Sequence, residues 1–275
     1  PGDANLHRTK SLYHYARAQQ APDAAARQAA AEISRASADR ALEIEPGMLD
    51  LYQIRAALRL VDVKQDSPEA PAAYDEALQI MKKGFQEGLK LNTPRAAIDR
   101  QRMEHLSLLT RGFMFASQYP GDLNDKAASE KRVAEMRSFG DEAERRMKEN
   151  PLTAYMKGMI AIAEKDWTTS ITAMEKANTS SDMQLLFRQF GHIPAEMLGL
   201  LYRELNQPGE SLRWTDKAIE QFKTDLRRNP PLVLFLNRGE LLNQLDRAQE
   251  AVDMLDQISA SYPADERLLR IRAAS

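Results

Sequence analysis

Histidines and clustered carboxylates are the side chains in this sequence that could carry chemistry. The four histidines are His7, His14, His105 and His192. His7 and His14 are seven residues apart, so on a helix they share a face but lie two turns apart. Metal-binding pairs on one helix use closer spacing, as in His-Glu-x-x-His. The sequence therefore favours packing or surface roles for the histidines and predicts no metal site.

The carboxylates and the missing motifs argue against catalysis. Three acidic residues neighbour two arginines in a segment with helical periodicity: Asp141, Glu142, Glu144, Arg145 and Arg146. Ion pairs at spacings of three and four are the ordinary outcome there. The sequence has no nucleophile-elbow, phosphate-loop or dinucleotide-binding glycine pattern, and it has no cysteine. We therefore predict that the protein is not an enzyme and binds no cofactor.

The composition indicates a folded, all-helical protein. Of 275 residues, 43% are hydrophobic and 28% are charged, with 39 Ala and 32 Leu against 5 Val and 12 Ile. Because Ala and Leu favour helices and β-branched residues favour strands, an all-β fold is excluded and a parallel sheet is disfavoured. The net charge of −2 provides no general attraction to nucleic acid or to an anionic membrane.

Membrane and compartment signals are sparse. The sequence contains no run of about 18 apolar residues, which is the length needed to span a membrane. We therefore expect a soluble protein. The lack of cysteine favours a periplasmic or exported location. The sequence starts at Pro1 without an apolar signal region, and we expect a processed protein or a fragment of a longer one.

Helical periodicity, interrupted at Pro, Gly, Asn and Asp, divides the chain into six helix pairs and one further helix. The predicted helices cover residues 6–20, 24–45, 49–63, 72–91, 95–117, 125–149, 152–164, 167–177, 194–205, 208–228, 231–244, 247–261 and 265–274. No segment alternates like a strand and no linker separates independent domains.

Three glycines in the second half indicate a repeat. Gly158, Gly199 and Gly239 lie in first helices, 41 and 40 residues apart. Twelve residues after each glycine comes a small residue, namely Ser170, Ser211 and Ala251. Nineteen residues after each glycine comes Ala or Ile, namely Ala177, Ala218 and Ile258. Two helices approach closely only where side chains are small, so the pattern predicts close contacts within each pair. One pair cannot bury its apolar face alone, so pairs stack into a solenoid.

This pattern resembles the tetratricopeptide repeat family. The last repeat carries the most consensus positions, at Phe235, Gly239, Leu242, Ala251, Leu255 and Pro263, and the preceding repeat carries Leu198, Gly199, Tyr202 and Ser211. The spacing near 40 exceeds the usual 34 residues of the family. Residues 1–150 match only in outline, and non-consensus helical hairpins are the alternative there.

The resemblance implies an all-α, right-handed α-solenoid of about six stacked antiparallel helix pairs. Its parts would be divergent repeat-like hairpins with long helices over residues 1–150, three repeats over 151–263 and a terminal or truncated helix over 264–275, in one continuous solenoid. Apolar residues on the last helix predict that the chain continues past Ser275 or that this helix caps the final pair: Leu268, Leu269 and Ile271.

The resemblance also implies a binding groove, because first helices line the concave surface in this family. The groove-facing positions carried over are Tyr155, Met159, Ile162, Glu196, Leu200, Arg203, Leu236, Glu240 and Asn243. They lack the Lys and Asn pair with which some members bind a terminal carboxylate. A separate segment, 182–190, places Met183, Leu186, Phe187 and Phe190 on one helical face, for packing or for occupying the groove.

The leading functional hypothesis is a non-catalytic protein–protein interaction scaffold that binds a peptide or a partner helix through the concave groove. Two alternatives remain open. One is an accessory helical-repeat domain of a larger enzyme, and the other is a self-assembling structural repeat protein.

Overall fold

The computed structural model describes residues 2–91, 98–120, 125–147, 150–178, 193–224, 229–259 and 266–274, with the backbone alone at 98–100. These ranges contain thirteen α-helices and no strand. Their bounds are α1 Ala4–Gln19, α2 Ala24–Ile44, α3 Leu49–Leu60, α4 Ala70–Leu89, α5 Ile98–Ser117, α6 Lys126–Arg146, α7 Pro151–Ala163, α8 Trp167–Asn178, α9 Ile193–Glu204, α10 Pro208–Thr224, α11 Leu232–Gln244, α12 Ala248–Ser259 and α13 Glu266–Ala274.

All thirteen predicted helices are found, and their described ends lie within four residues of the predicted ones. Short acidic or amide side chains start several of the helices. Asp23 accepts a hydrogen bond from the backbone N–H of Ala26 at 2.7 Å, and Asn150 accepts one from that of Leu152 at 2.9 Å. Such caps satisfy backbone donors that the first turn of a helix leaves unpaired. The predicted segment 182–190 lies outside the described residues.

The chain forms two compact units, Pro1–Lys148 and Glu149–Ser275. In unit 1, the antiparallel pairs are α1–α2, α3–α4 and α5–α6, and successive pairs contact each other through α2–α3 and α4–α5. In unit 2, the pairs are α7–α8, α9–α10 and α11–α12, joined through α8–α9 and α10–α11. Each unit is thus a stack of three helix pairs, and the all-α solenoid fold predicted from the sequence is confirmed.

The repeated glycines of unit 2 mark close helix contacts. A Cβ added to Gly158 would lie 2.9 Å from Met174, and one added to Gly199 would lie 3.0 Å from the Thr215 hydroxyl. The Ser211 hydroxyl donates a 2.7 Å hydrogen bond to the Gly199 carbonyl. The small residues twelve positions after the glycines are fully or almost fully buried. The close approach predicted within each pair is confirmed at Gly158 and Gly199, whereas a Cβ added to Gly239 would come nearest to Ile271 of α13, at 3.1 Å.

In unit 1, other residues allow the two helices of a pair to approach closely. Between α1 and α2, the buried Ser34 hydroxyl donates a 2.8 Å hydrogen bond to the carbonyl of Ser11. Between α3 and α4, a Cβ at Gly84 would lie 2.5 Å from the Tyr52 side chain. Serine and glycine thus permit a close approach at positions where the repeat consensus is hard to recognise.

The three hairpin turns of unit 2 share one backbone conformation. Lys165, Asn206 and Asp246 have φ values of 61°, 53° and 58°, in the left-handed region. In each turn the next backbone N–H donates to a carbonyl five residues earlier, as in a Schellman motif: Asp166 to Ala161 at 2.8 Å, Gln207 to Tyr202 at 2.8 Å and Arg247 to Leu242 at 2.9 Å. The repeat visible in the glycines therefore recurs in the backbone.

The last helix, α13, covers the end of unit 2. Leu268 and Ile271 are 1% and 7% exposed and pack with Leu236 and Leu255. α13 therefore packs on α11 and α12, the final helix pair. None of the helices within the described ranges has the length and apolar character needed to cross a membrane.

Candidate binding surfaces

The nine predicted groove residues lie on α7, α9 and α11, the three first helices of unit 2. We call the surface formed by the exposed and partly exposed residues among them the first-helix face. Leu200 is 40% exposed, and seven others are partly buried: Tyr155, Met159, Ile162, Glu196, Arg203, Glu240 and Asn243. Eight of the nine residues therefore keep some exposed surface.

Leu236 is the ninth residue and differs from the rest. It is only 3% exposed, because Leu268 and Ile271 of α13 pack against it. The resemblance assigns Leu236 to the groove, but in this structure it belongs to the core beneath the last helix. We therefore leave it out of the exposed surface.

The α7 side of the first-helix face is apolar. Tyr155, Met159 and Ile162 pack against the core cluster that includes Leu198 and Trp214. Burial raises the pKa of the Tyr155 phenol to about 12. These side chains provide a partly exposed apolar strip whose inner edges support the core.

Glu196 and Leu200 lie beside this strip on α9. Burial raises the pKa of the Glu196 carboxyl above its ordinary value, because a charged carboxylate is poorly solvated there. Arg203 follows on the same helix. The spacing of 196, 200 and 203 places an acidic, an apolar and a basic residue along one helical face.

The α11 side is polar and connects neighbouring first helices. The Arg203 guanidinium lies 2.7 Å from one carboxylate oxygen of Glu240, and Arg267 of α13 lies 3.2 Å from the other. The Asn243 amide donates a 3.2 Å hydrogen bond to the carbonyl of Ile271. Arg203, Glu240 and Asn243 thus tie α9, α11 and α13 together.

Of the histidine and carboxylate side chains that could carry chemistry, His105 is buried in the core and Glu142 is paired with arginines. Burial lowers the pKa of His105. Glu142 pairs with both Arg145 and Arg146 at 2.5 Å, which confirms the ion pairs expected in this helix. Across the described ranges, no group of three potential ligands is arranged to hold a metal ion. His192 lies outside the described residues.

A groove in unit 1 is absent from the sequence-based site prediction. It has a volume of about 610 Å³ and lies among the first helices α1, α3 and α5. An ion pair of 2.8 Å joins Arg8 to Asp50 across α1 and α3, and the Gln53 amide donates a 3.3 Å hydrogen bond to the Ser107 hydroxyl across α3 and α5. Met48 and Leu49 provide buried apolar lining.

One sequence signal could have located this groove. Polar residues recur at a spacing of three on each of its helices, which places them on one helical face. They are Asn5 and Arg8 on α1, Asp50 and Gln53 on α3, and Gln101, Glu104 and Ser107 on α5. The signal is weak because solvent-exposed helices also carry polar residues at this spacing.

Comparisons with known proteins connect this geometry to a fold class. No family model and no curated protein matches the sequence. Among solved structures, the chain is similar to PilW, a widely conserved type IV pilus biogenesis factor. The TM-score is 0.58 and the identity is 12%, over 98% of this chain and 97% of that one. The similarity shows the fold, and with the helix pairs described above it is consistent with the tetratricopeptide-like repeat that the sequence resembles.

Two further solved structures match with lower TM-scores. One is the assembly chaperone of RpL4, Acl4, with a TM-score of 0.42 and 9% identity over 99% of this chain and 82% of that one. The other is the APC/C hetero-tetramer Cut9-Hcn1, with a TM-score of 0.40 and 13% identity over 88% of this chain and 52% of that one.

Proposed function

We propose that this protein is a non-catalytic interaction scaffold that holds a peptide or a helix of a partner protein on the first-helix face of unit 2. The observation that carries the proposal is Leu200, a large apolar side chain that is 40% exposed in the middle of this face. Around it the surface changes from apolar on α7 to polar on α11. A partner with one apolar and one polar edge would match that gradient.

The contacts of the individual residues indicate their roles in such binding. Leu200, with Met159 beside the core on α7, offers apolar area for a partner side chain. Glu196 is partly exposed on the same face of α9 and adds an acidic side chain next to Leu200. Arg203 and Glu240 pair with each other, and we expect them to support the surface more than they recognise a ligand.

A photo-crosslinking experiment tests this proposal. The full chain would carry p-benzoylphenylalanine in place of Leu200 and would be irradiated in an extract of its source cells. The matched control carries the same label in place of Leu12, a leucine of α1 that is 39% exposed. We expect discrete crosslinked species from position 200 that are absent from position 12, identified by mass spectrometry.

Competition separates specific capture from general stickiness. Unlabelled wild-type protein should suppress the crosslinked species, whereas an unlabelled Leu200→Asp variant with unchanged helicity should suppress them about tenfold less well. Equal competition by both proteins would contradict binding on this face. A crosslinked species that contains only a second copy of the chain would instead support self-assembly.

A further inference from the structure

A second groove lies in unit 2 between the second helices α10 and α12, and we call it the second-helix groove. It has a volume of about 670 Å³, and Phe235 and Arg238 of α11 contribute to its lining. None of its lining residues belongs to the nine predicted for the first-helix face. It is therefore a separate surface, and an inference about it does not rest on the function proposed above.

The floor of the second-helix groove is apolar. Ile219 belongs to the core cluster around Trp214 and Phe235 packs against that cluster, while Met254 and Ile258 pack against the cluster around Leu255. The groove thus follows the seam between the cores of two successive helix pairs. Phe235, Met254 and Ile258 are only partly buried, so apolar surface remains accessible along this seam.

The walls of the groove favour a helix over an extended strand as the occupant. Both walls are α-helices, whose interior backbone groups are paired within the helix and cannot extend a sheet. An occupant must therefore bind through side chains. An amphipathic helix does this with its own backbone hydrogen bonds already satisfied, as in helix-in-groove recognition.

Charges on the two walls give the groove a direction. On the α12 wall, Glu250 pairs with Arg247 at 2.7 Å, and the exposed Asp253 accepts a 2.8 Å hydrogen bond from Gln249. On the α10 wall, the exposed Lys223 lies two helical turns after Asp216. Asp216 itself pairs with Arg238 at 2.6 Å. The walls thus present an accessible carboxylate at Asp253 and an accessible ammonium group at Lys223.

We propose that the second-helix groove docks an amphipathic α-helix of a partner protein. The apolar stripe of that helix packs on Phe235, Met254 and Ile258. A basic side chain on one flank pairs with Asp253, and an acidic side chain on the other flank pairs with Lys223. The apolar floor and the charged walls both contribute to binding, and the opposed charges set the orientation.

A display library of amphipathic helices provides the probe. Its peptides would be about 18 residues long, or five turns, with leucines fixed along one face and both flanks randomised, and they would be selected on the full chain. We expect enrichment of Lys or Arg on one flank and of Glu or Asp on the other. A synthetic, fluorescein-labelled peptide from the selection would then be measured by fluorescence anisotropy.

Charge reversal at exposed positions tests the site while leaving the core intact. The double variant Asp253→Lys, Lys223→Glu should bind the peptide about tenfold more weakly. A peptide with its two flanks exchanged should regain affinity for that double variant. The control Leu200→Asp, on the first-helix face, should bind the original peptide as the wild type does.

Several outcomes would overturn the proposal. They are failure of any peptide to enrich, equal affinity of the wild type and the double variant, and loss of binding in Leu200→Asp alone. Sedimentation of the free protein tests another occupant. If the chain forms a dimer that Met254→Asp abolishes, the groove binds a second copy and the proposal is wrong.

Discussion

Lys165 adopts a left-handed backbone conformation that side chains with a Cβ disfavour by about 1–2 kcal/mol. The equivalent turn residues are Asn206 and Asp246, types that tolerate this conformation better. Glycine adopts it freely but loses more conformational entropy on folding. The left-handed conformation therefore costs more free energy at Lys165 than at Asn206 or Asp246.

We predict that Lys165→Gly stabilises unit 2 by up to about 1 kcal/mol, because the conformational gain exceeds the entropic loss. Asn206→Gly should give a smaller gain. Urea unfolding followed by tryptophan fluorescence measures this directly, since both tryptophans, Trp167 and Trp214, lie in unit 2. Destabilisation by Lys165→Gly would show that the lysine side chain makes a compensating contribution.

His105 connects the stability of unit 1 to pH. It is 8% exposed, packs edge-on against Phe85, and has its pKa lowered by burial. In the folded state the His105 imidazole therefore stays neutral at a pH where the same imidazole in the unfolded chain already takes up a proton. The stability that depends on neutral His105 is complete above about pH 6.5, the ordinary pKa of histidine, and declines as the pH falls below it.

We predict that His105→Leu reduces this loss of stability on acidification. Hydrogen exchange of the amides in α4 and α5, measured between pH 7.5 and about 5, follows unit 1 specifically. The wild type should lose protection as the pH falls, after correction for the intrinsic exchange rate, and the variant should lose less. An identical pH dependence in the two proteins would contradict a role for His105.

At the scale of elements, apolar contacts hold α13 on unit 2 more strongly than its ion pairs do. The Arg267 and Arg203 side chains that flank Glu240 are 51% and 37% exposed. Ion pairs this exposed contribute about 0–1 kcal/mol each. Complete burial of one leucine side chain contributes about 1.5–3 kcal/mol, so Leu268 outweighs either pair.

We predict that Leu268→Ala destabilises unit 2 by about 2–4 kcal/mol, through lost burial and a cavity against Leu236. Its neighbour Leu269 is 52% exposed and provides the matched control. Leu269→Ala should change stability by less than about 0.5 kcal/mol. Thermal unfolding followed by tryptophan fluorescence compares the two, and equal effects would contradict α13 as a cap.

At the scale of the whole molecule, the contacts of each unit are mainly between helices that are neighbours along the chain. A stack of this kind needs small residues at the close approaches and apolar residues along the seams, and many sequences meet both needs. This explains how the chain and PilW share a fold at 12% identity. The fold also leaves the surface residues free to vary. What such a protein binds therefore depends on the residues of its exposed faces.

The local pattern of the sequence was sufficient to predict the helices, their pairing and the close approach at Gly199. Helix formation and hairpin packing depend on residues within about 40 positions, and spacing along the chain records them directly. The same reasoning placed eight of the nine predicted groove residues on a partly exposed face.

Only the tertiary structure decided which surfaces are covered and which are open. Leu236 has the spacing of a groove residue but is buried, because α13 returns to pack on it. The second-helix groove at Phe235 and Met254 exists because the cores of two helix pairs meet along a seam. Periodicity reports the face on which a side chain lies, whereas exposure depends on the element that packs against that face.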